Sequence, residues 1–190
     1  MASIKGVKLT GVQSHMGAEG MTLFAYVSVD GKKVGSVFDD AWGGPMNIDI
    51  PEKIQADIVD RYKQYIKDAY IVDEIATMRM DADAVAKAYK EKTLPLVGED
   101  GRYWEPVAEF VDTIANLAER EKNYKKAVKK GHKAIVCADY IHCNGGTPLG
   151  LCYFTNGSKA HYDEVVKIAK EKSPAVIVKQ YSSPADFVIA

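Results

Sequence analysis

The side chains of this chain that are best suited to binding chemistry lie together in the segment Asp39-Asp40-Ala41-Trp42-Gly43-Gly44-Pro45. Adjacent glycines leave backbone N–H groups open to an anionic ligand, and an indole offers a flat face for stacking. The two carboxylates could accept hydrogen bonds from hydroxyl groups, bind a cation or pair with basic side chains of a partner. The predicted ligand or partner site therefore consists of Asp39, Asp40, Trp42, Gly43 and Gly44.

The alternative is that this loop is a Gly-rich turn without a binding role. In that case the aspartates cap the backbone, and Trp42 is tucked under the sheet. The segment does not match a phosphate-binding P-loop, which requires a lysine followed by serine or threonine at fixed offsets.

A second candidate surface is the basic run between residues 120 and 133. Five lysines recur there at intervals of three or four residues, a spacing that places them on one ridge of a helix. They are Lys122, Lys125, Lys126, Lys129 and Lys133. Such a ridge could follow a phosphate backbone or contact an acidic partner, with an affinity that falls as salt rises. The alternative is a solvated face whose cations favour the helix carboxyl end; Tyr124 is the aromatic residue interleaved with them.

Cysteine and histidine residues of the last third of the chain are candidate metal ligands or nucleophiles. They are Cys137, His142, Cys143, Cys152 and His161. Their spacing lacks the Cys-x2-4-Cys knuckle of zinc sites, so no metal and no cofactor is predicted. An odd cysteine count argues against a disulfide scaffold, and Cys137 and Cys152 are interpreted as small buried thiols. A nucleophilic Cys143 would need a neighbouring base. No catalytic motif is evident, which favours a binding protein over an enzyme.

Periodicity and turn residues predict an α+β fold with three parts. An N-terminal antiparallel β-meander comes first, with Asp30-Gly31 as a tight type I′ turn. A helical middle follows, in which Pro51 and Pro106 open helices. Another helix is predicted over 70–92, with a break near Met80 and Asp81 as the cap of its second part. A C-terminal ββαβ unit completes the chain, with strands at 134–138, 149–155 and 174–179 and a helix at 159–172 capped by Ser158.

Domain organisation is indicated by the turn-rich segment 94–101, which contains Pro95 and Asp100-Gly101. We predict a hinge there between two lobes, residues 1–93 and 102–190, or one core shared by both. The apolar segment 185–190 could form an edge strand that pairs with a second copy in a homodimer, or it could complete the chain's own sheet.

Composition limits the class of protein. The chain has 190 residues and a net charge of −1, and it contains no apolar run of the roughly 18 residues that a membrane span needs. No signal peptide is evident, so a cytoplasmic protein without a membrane partner is expected. Residues 51–115 hold 9 basic and 14 acidic side chains, whereas residues 116–190 hold 12 and 7. This asymmetry favours oriented contact with a charged partner.

The segment Asp30-Gly31-Lys32-Lys33-Val34-Gly35, followed by Asp39-Asp40-Ala41-Trp42-Gly43-Gly44, resembles the opening of small accessory proteins of phages and other mobile elements. The resemblance covers residues 1–50. It implies a short β-meander and a role in countering host immunity, since some such proteins are anti-CRISPR inhibitors of Cas9.

Three functional hypotheses follow. The first is a non-enzymatic inhibitor of a host defence system, most sharply of Cas9 with its guide RNA, in the bacterial cytoplasm. The second is a small-molecule binder that sequesters a nucleotide signal in the Trp42 loop. The third is a DNA-binding accessory protein that uses the lysine ridge.

Overall fold

The computed structural model describes residues 1–16, 21–42, 44–99, 101, 104–141 and 151–190. Its strands are β1 Ser3–Ile4, β2 Val7–Met16, β3 Met21–Val29, β4 Lys32–Asp39, β5 Asn47–Asp49, β6 Ala134–Tyr140, β7 Leu151–Thr155, β8 Val176–Tyr181 and β9 Val188–Ile189. Its helices are α1 Glu52–Ala69, α2 Glu74–Thr77, α3 Ala82–Glu91, α4 Pro106–Lys129 and α5 Lys159–Lys172. The predicted α+β class is confirmed, with antiparallel strands first, helices in the middle and a ββαβ unit at the end.

The chain forms two compact units, each assembled from separate stretches of sequence. The first comprises Met1–Tyr65, Glu105–Glu119 and Phe187–Ala190, and the second comprises Ile66–Trp104 and Arg120–Asp186. This division by packing differs from the sequence-based division at 94–101, because α1 and α4 each begin in the first unit and end in the second. The turn-rich segment lies within the range of the second unit.

The first unit contains a six-stranded sheet in the order β5-β4-β3-β2-β1-β9. Neighbouring strands are antiparallel except β1 and β9, which are parallel. Asp30 and Gly31 have φ angles of 49° and 81°, as the predicted type I′ turn requires. Val188 and Ile189 pair with Ser3 and Ile4 of the same chain, so the C-terminal segment completes its own sheet. The short strand β5 was not predicted from the sequence.

One face of this sheet is buried. Along β3, Leu23, Ala25, Val27 and Val29 are at most 9% exposed, whereas the intervening Tyr26 is 37% exposed. This alternation is typical of a strand with one side on the core and one toward solvent. Helices α1 and α4 contribute buried residues to the same unit: Ile58, Tyr62, Phe110 and Ile114. The rings of Tyr62 and Phe110 stack with centroids 4.9 Å apart.

The second unit contains the antiparallel sheet β7-β6-β8 with α5 beside it. Residues 134–138 of β6 are fully buried, which explains their uninterrupted apolar sequence. Two predicted caps are confirmed: the Asp81 carboxylate accepts from Ala84 N at 2.8 Å, and the Ser158 hydroxyl accepts from His161 N at 3.3 Å. The helix that the sequence predicted over 70–92 is divided into α2 and α3. A small core lies beneath them, formed by Val72, Val85, Leu94, Ile141 and Ala175.

Candidate functional site

The acidic residues of the predicted Trp42 loop hold its backbone. Asp39 Oδ1 accepts from Ala41 N at 2.8 Å, and Asp40 Oδ1 accepts from Trp42 N at 3.0 Å. These contacts are Asx turns, in which a carboxylate replaces a backbone carbonyl. They agree with the alternative in which the aspartates cap the backbone of a turn. The Trp42 side chain is 68% exposed, so it is not tucked under the sheet. Gly44 is part of the same loop, and Gly43 lies outside the described residues.

Asp39 also has a carboxyl neighbour that sequence reasoning missed. The pKa of Asp112 on α4 is raised to about 6, first because protein atoms crowd the carboxyl and then because the negative charges of Asp39 and Glu109 oppose its ionisation. The Asp112 residue is exposed, so solvent screens part of the repulsion from these neighbouring charges. Glu109 is itself engaged, since its carboxylate accepts from Glu105 N and from the Tyr62 hydroxyl, both at 3.4 Å.

The predicted lysines form an exposed group, named the lysine patch, at the carboxyl end of α4. It consists of Lys122, Lys125, Lys126, Lys129 and Lys133. The first four lie on α4, on the side opposite the buried Tyr124 and Ala127. Lys133 is not on the helix, because α4 ends at Lys129 and Gly131 adopts a left-handed φ of 86°. It precedes β6 and lines an open cleft with Asn156, Gly157, Ser158 and Ser182.

Members of the lysine patch differ in their ionic partners. Lys125 Nζ lies 2.6 Å from Oε1 of Glu121, whose side chain is nearly buried. Within the described residues, Lys126, Lys129 and Lys133 have no carboxylate within salt-bridge distance. These three cations carry most of the uncompensated positive charge of the patch.

Aromatic rings beside the lysine patch come from residues that the sequence analysis did not select. Tyr124, the interleaved aromatic, is buried, and its hydroxyl donates to Ser182 O at 2.9 Å. Phe154 on β7 is instead 36% exposed. Its centroid lies 5.5 Å from that of His132 and 5.7 Å from Lys130 Nζ. An exposed ring therefore lies beside the cations, brought there by the pairing of β6 with β7.

Arg120, which begins the basic run, is partly buried, and its guanidinium is paired within the protein. Its Nη1 donates to Asp139 Oδ2 at 2.9 Å and to the Tyr181 hydroxyl at 3.2 Å, and Nη2 lies 2.5 Å from Asp139 Oδ1. Burial is the largest single influence on the pKa of Arg120 and would lower it, but the charge and hydrogen bonds of Asp139, together with the contact to Tyr181, hold the pKa above its ordinary value. This guanidinium therefore stabilises the second unit and adds nothing to the lysine patch.

The interpretation of Cys137 and Cys152 as free thiols is wrong. They are directly opposite each other on β6 and β7, with Cα atoms 4.2 Å apart, and they form a disulfide. An odd cysteine count is compatible with one bond and one remaining cysteine. His142 and Cys143 lie outside the described residues, and His161 Nδ1 accepts from Asn156 N at 3.4 Å. Among the described residues, no three His, Cys, Asp or Glu side chains cluster closely enough to hold a metal ion.

A further surface was missed by the sequence analysis: the face of the first unit's sheet opposite its core. Phe24, Tyr26 and Phe38 lie on that face, and Phe38 is 46% exposed. Alternation along β3 predicts which residues share a face, but it does not reveal that Phe38 lies directly opposite Phe24.

Comparisons with protein-family models, with curated proteins and with solved structures found no match to this chain. No helix in the described part of the chain has the length and apolarity needed to cross a membrane.

Proposed function

We propose that this chain is a non-enzymatic binding protein that contacts nucleic acid through the lysine patch. The observation that carries the proposal is that Lys126, Lys129 and Lys133 are exposed without a carboxylate partner among the described residues, whereas Arg120 beside them is fully paired. A phosphate backbone supplies the missing negative charge and releases its counterions on binding.

The arrangement of the patch fits an extended polyanion. Lys122, Lys126 and Lys129 recur along one side of α4, and Lys133 continues the positive charge beyond the end of the helix. The exposed ring of Phe154 adds a surface for stacking beside the cations. These contacts bind the backbone and do not read base sequence, so the expected binding is salt-sensitive and only weakly sequence-selective.

The biological setting that we propose is inhibition of a host defence complex in the bacterial cytoplasm. The most specific form of this proposal is inhibition of Cas9 with its guide RNA. Support comes from the resemblance of residues 30–44 to accessory proteins of mobile elements and from the lysine patch, which would contact the guide RNA. The disulfide Cys137–Cys152 bears on this location, because such bonds are more typical of oxidising compartments. Its redox state in cells, measured by thiol alkylation and mass spectrometry, therefore tests the cytoplasmic setting.

Direct binding is tested by fluorescence anisotropy with labelled DNA and RNA over a range of salt concentrations. The double variant Lys126→Glu, Lys129→Glu should weaken binding and make the slope of log K against log salt shallower by about 2. A matched control is Lys87→Glu, Lys90→Glu, which makes the same charge change on exposed positions of α3. Equal losses in both variants, or binding that is insensitive to salt, would overturn the proposed use of the lysine patch.

The defence setting is tested by capture of Cas9–guide RNA on the tagged protein, with and without nuclease, followed by a target-cleavage assay. Inhibition of cleavage that is lost in Lys126→Glu, Lys129→Glu and retained in the α3 control would support it. Unimpaired cleavage at saturating protein would contradict this setting while leaving nucleic-acid binding to be judged by anisotropy.

The Trp42 loop is a weaker candidate for a nucleotide site. Its exposed indole remains suited to stacking, but Asp39 and Asp40 are engaged by backbone N–H groups. Trp42→Ala would abolish nucleotide binding if that hypothesis holds, with the fold intact by circular dichroism.

A further inference from the structure

The open face of the first unit's sheet carries aromatic rings where polar side chains are usual. Along β3, Phe24 and Tyr26 alternate with the buried Ala25 and Val27, so both rings belong to the face away from the core. Phe24 is directly opposite Phe38 on β4. The exposed fractions of Tyr26 and Phe38 are 37% and 46%. The outward face of a half-buried antiparallel sheet is normally polar, so these rings form an exception.

Local structure holds the Tyr26 ring in place. The ring packs edge-to-face against Phe24, with centroids 5.1 Å apart and planes at 82°. Lys33 Nζ lies 3.3 Å from the Tyr26 centroid, a cation–π contact. Gly11, beside an irregularity in the β2–β3 register, makes room for the ring, since a Cβ there would lie 3.2 Å from Tyr26 Cδ2.

Positive charge flanks these rings on the same face. Lys8 of β2 and Lys33 of β4 are both opposite Ser28, so they stand in one row across the three strands. Among the described residues, the acidic residue in these rows is Asp49 of β5, which is opposite Ser36 of β4. The described face therefore combines stacking rings with cations at its border.

We infer that this open face, formed by Phe24, Tyr26, Phe38, Lys8 and Lys33, binds single-stranded nucleic acid by stacking bases on the rings and pairing phosphates with the lysines. Aromatic side chains on a sheet with flanking cations have the chemistry that single strands need, because unpaired bases expose their faces. Charge complementarity favours this occupant over an apolar protein surface, which would leave Lys8 and Lys33 beside the contact without a counter-charge.

Binding would exchange one contact of Lys33 for another. Its ammonium lies on the Tyr26 ring in the free protein, and a stacking base would take that position while the flexible lysine moves to the adjoining phosphate. Phe38, the most exposed of the three rings, would stack a base without such a rearrangement. This inference is independent of the lysine patch, because it uses residues of the first unit alone.

The test compares a short oligodeoxythymidine with an abasic strand of the same length and charge. Phe38→Ala should lower affinity for oligodeoxythymidine roughly tenfold and leave affinity for the abasic strand unchanged. Lys33→Gln should weaken binding of both strands and make the salt slope shallower by about 1. The matched control is Ile75→Ala, which truncates an exposed apolar side chain on α2 of the second unit and should change neither affinity.

A second measurement covers the case in which a variant fails to fold. On the wild-type protein, NMR titration with oligodeoxythymidine should shift the ring protons of Tyr26 and Phe38 together with the Lys33 side-chain signals. Equal affinity for the abasic and base-containing strands, or unshifted ring signals at saturation, would overturn the inference.

The proposals for the lysine patch and for the open sheet face can be contradicted independently of each other. If Lys126→Glu, Lys129→Glu binds oligodeoxythymidine normally and Phe38→Ala does not, the open sheet face is supported and the lysine patch is contradicted. The reverse result contradicts the open face and leaves the lysine patch standing.

Discussion

Arg61 makes a bidentate contact with Asp30, in which Nη1 donates to Oδ1 at 3.1 Å and Nη2 donates to Oδ2 at 2.8 Å. Nη1 also donates to Lys5 O at 2.7 Å, and Nε donates to Asp57 Oδ2 at 3.0 Å. One side chain of α1 therefore joins two turns of the sheet, the β1–β2 turn at Lys5 and the β3–β4 turn at Asp30. The hydrogen bond from Arg61 holds the pKa of Asp30 below its ordinary value, despite an opposing effect of desolvation.

Removing this guanidinium should weaken the first unit. We expect Arg61→Ala to lower the free energy of unfolding by about 1 kcal/mol, chiefly through the lost hydrogen bond to the Lys5 carbonyl. Urea denaturation measures the difference. Asp57→Asn, which disturbs the Nε contact alone, is the control and should have a smaller effect. A loss for Asp57→Asn as large as that for Arg61→Ala would contradict the role given to the two turns.

The same pairing predicts a pH dependence. Because the folded-state pKa of Asp30 is lowered, its contribution is present above the ordinary pKa of 3.8 and is lost as the pH falls through the lower folded value. Asp30→Asn should therefore be less stable than wild type at neutral pH, and the two proteins should converge in acid. Urea midpoints at a series of pH values test this expectation, and a constant difference down to the most acidic pH would refute it.

Asp112 should show the opposite pH dependence. Its folded pKa of about 6 lies above the ordinary value of 3.8, so its contribution is fully present below 3.8 and is lost as the pH rises through 6. Asp112→Asn removes this loss and should stabilise the protein at pH 7 by at most about 1 kcal/mol, after allowance for screening of an exposed carboxyl. Thermal unfolding at acidic and neutral pH provides the measurement. No gain at neutral pH would show that burial and the charges of Asp39 and Glu109 do not raise the pKa of Asp112 in the folded protein.

Features set by neighbouring residues were predictable from the sequence. Asp30-Gly31, Asp81 and Ser158 act within a few residues of themselves, through a turn that needs positive φ or through a carboxylate or hydroxyl that accepts from a helix N–H. The helix over 159–172 was therefore predicted with its observed bounds. The break of the 70–92 segment was placed correctly near Met80, although the first part forms only the short helix α2.

Features that depend on strand register were not predictable in the same way. Cys137 meets Cys152 only because β6 and β7 align at that pair, and no local pattern specifies this alignment. Arg120 reads as one more cation of a basic run until its pairing with Asp139 is visible. The candidate site was predicted in part for the same reason: the lysine patch follows from helical spacing, whereas Phe154 reaches it across the sheet.

The disulfide Cys137–Cys152 should stabilise the second unit. It joins residues 15 positions apart, and closure of a loop of this size contributes about 3 kcal/mol by restricting the unfolded chain. Reducing agent should therefore lower the urea midpoint of the wild-type protein and leave Cys137→Ser, Cys152→Ser unchanged. Cys143→Ser is the control and should respond to reductant as wild type does. If Cys143→Ser abolishes the response, the bond in solution involves Cys143 instead.

Among the described glycines of the second unit, Gly98 is the one where a side chain should be most harmful. It has a φ of +77°, and a Cβ there would lie 2.7 Å from Cε2 of the Trp104 ring. Gly101 has a similar φ of +67°, and no atom of the other described residues lies within 4 Å of its Cβ position. Gly101→Ala is therefore expected to bear only the cost of a left-handed backbone, about 1 kcal/mol. Gly98→Ala should cost about 1–3 kcal/mol more, because the indole must move. Urea unfolding followed by Trp104 fluorescence, in a Trp42→Phe background, measures both; equal losses would mean that the indole does not pack on Gly98.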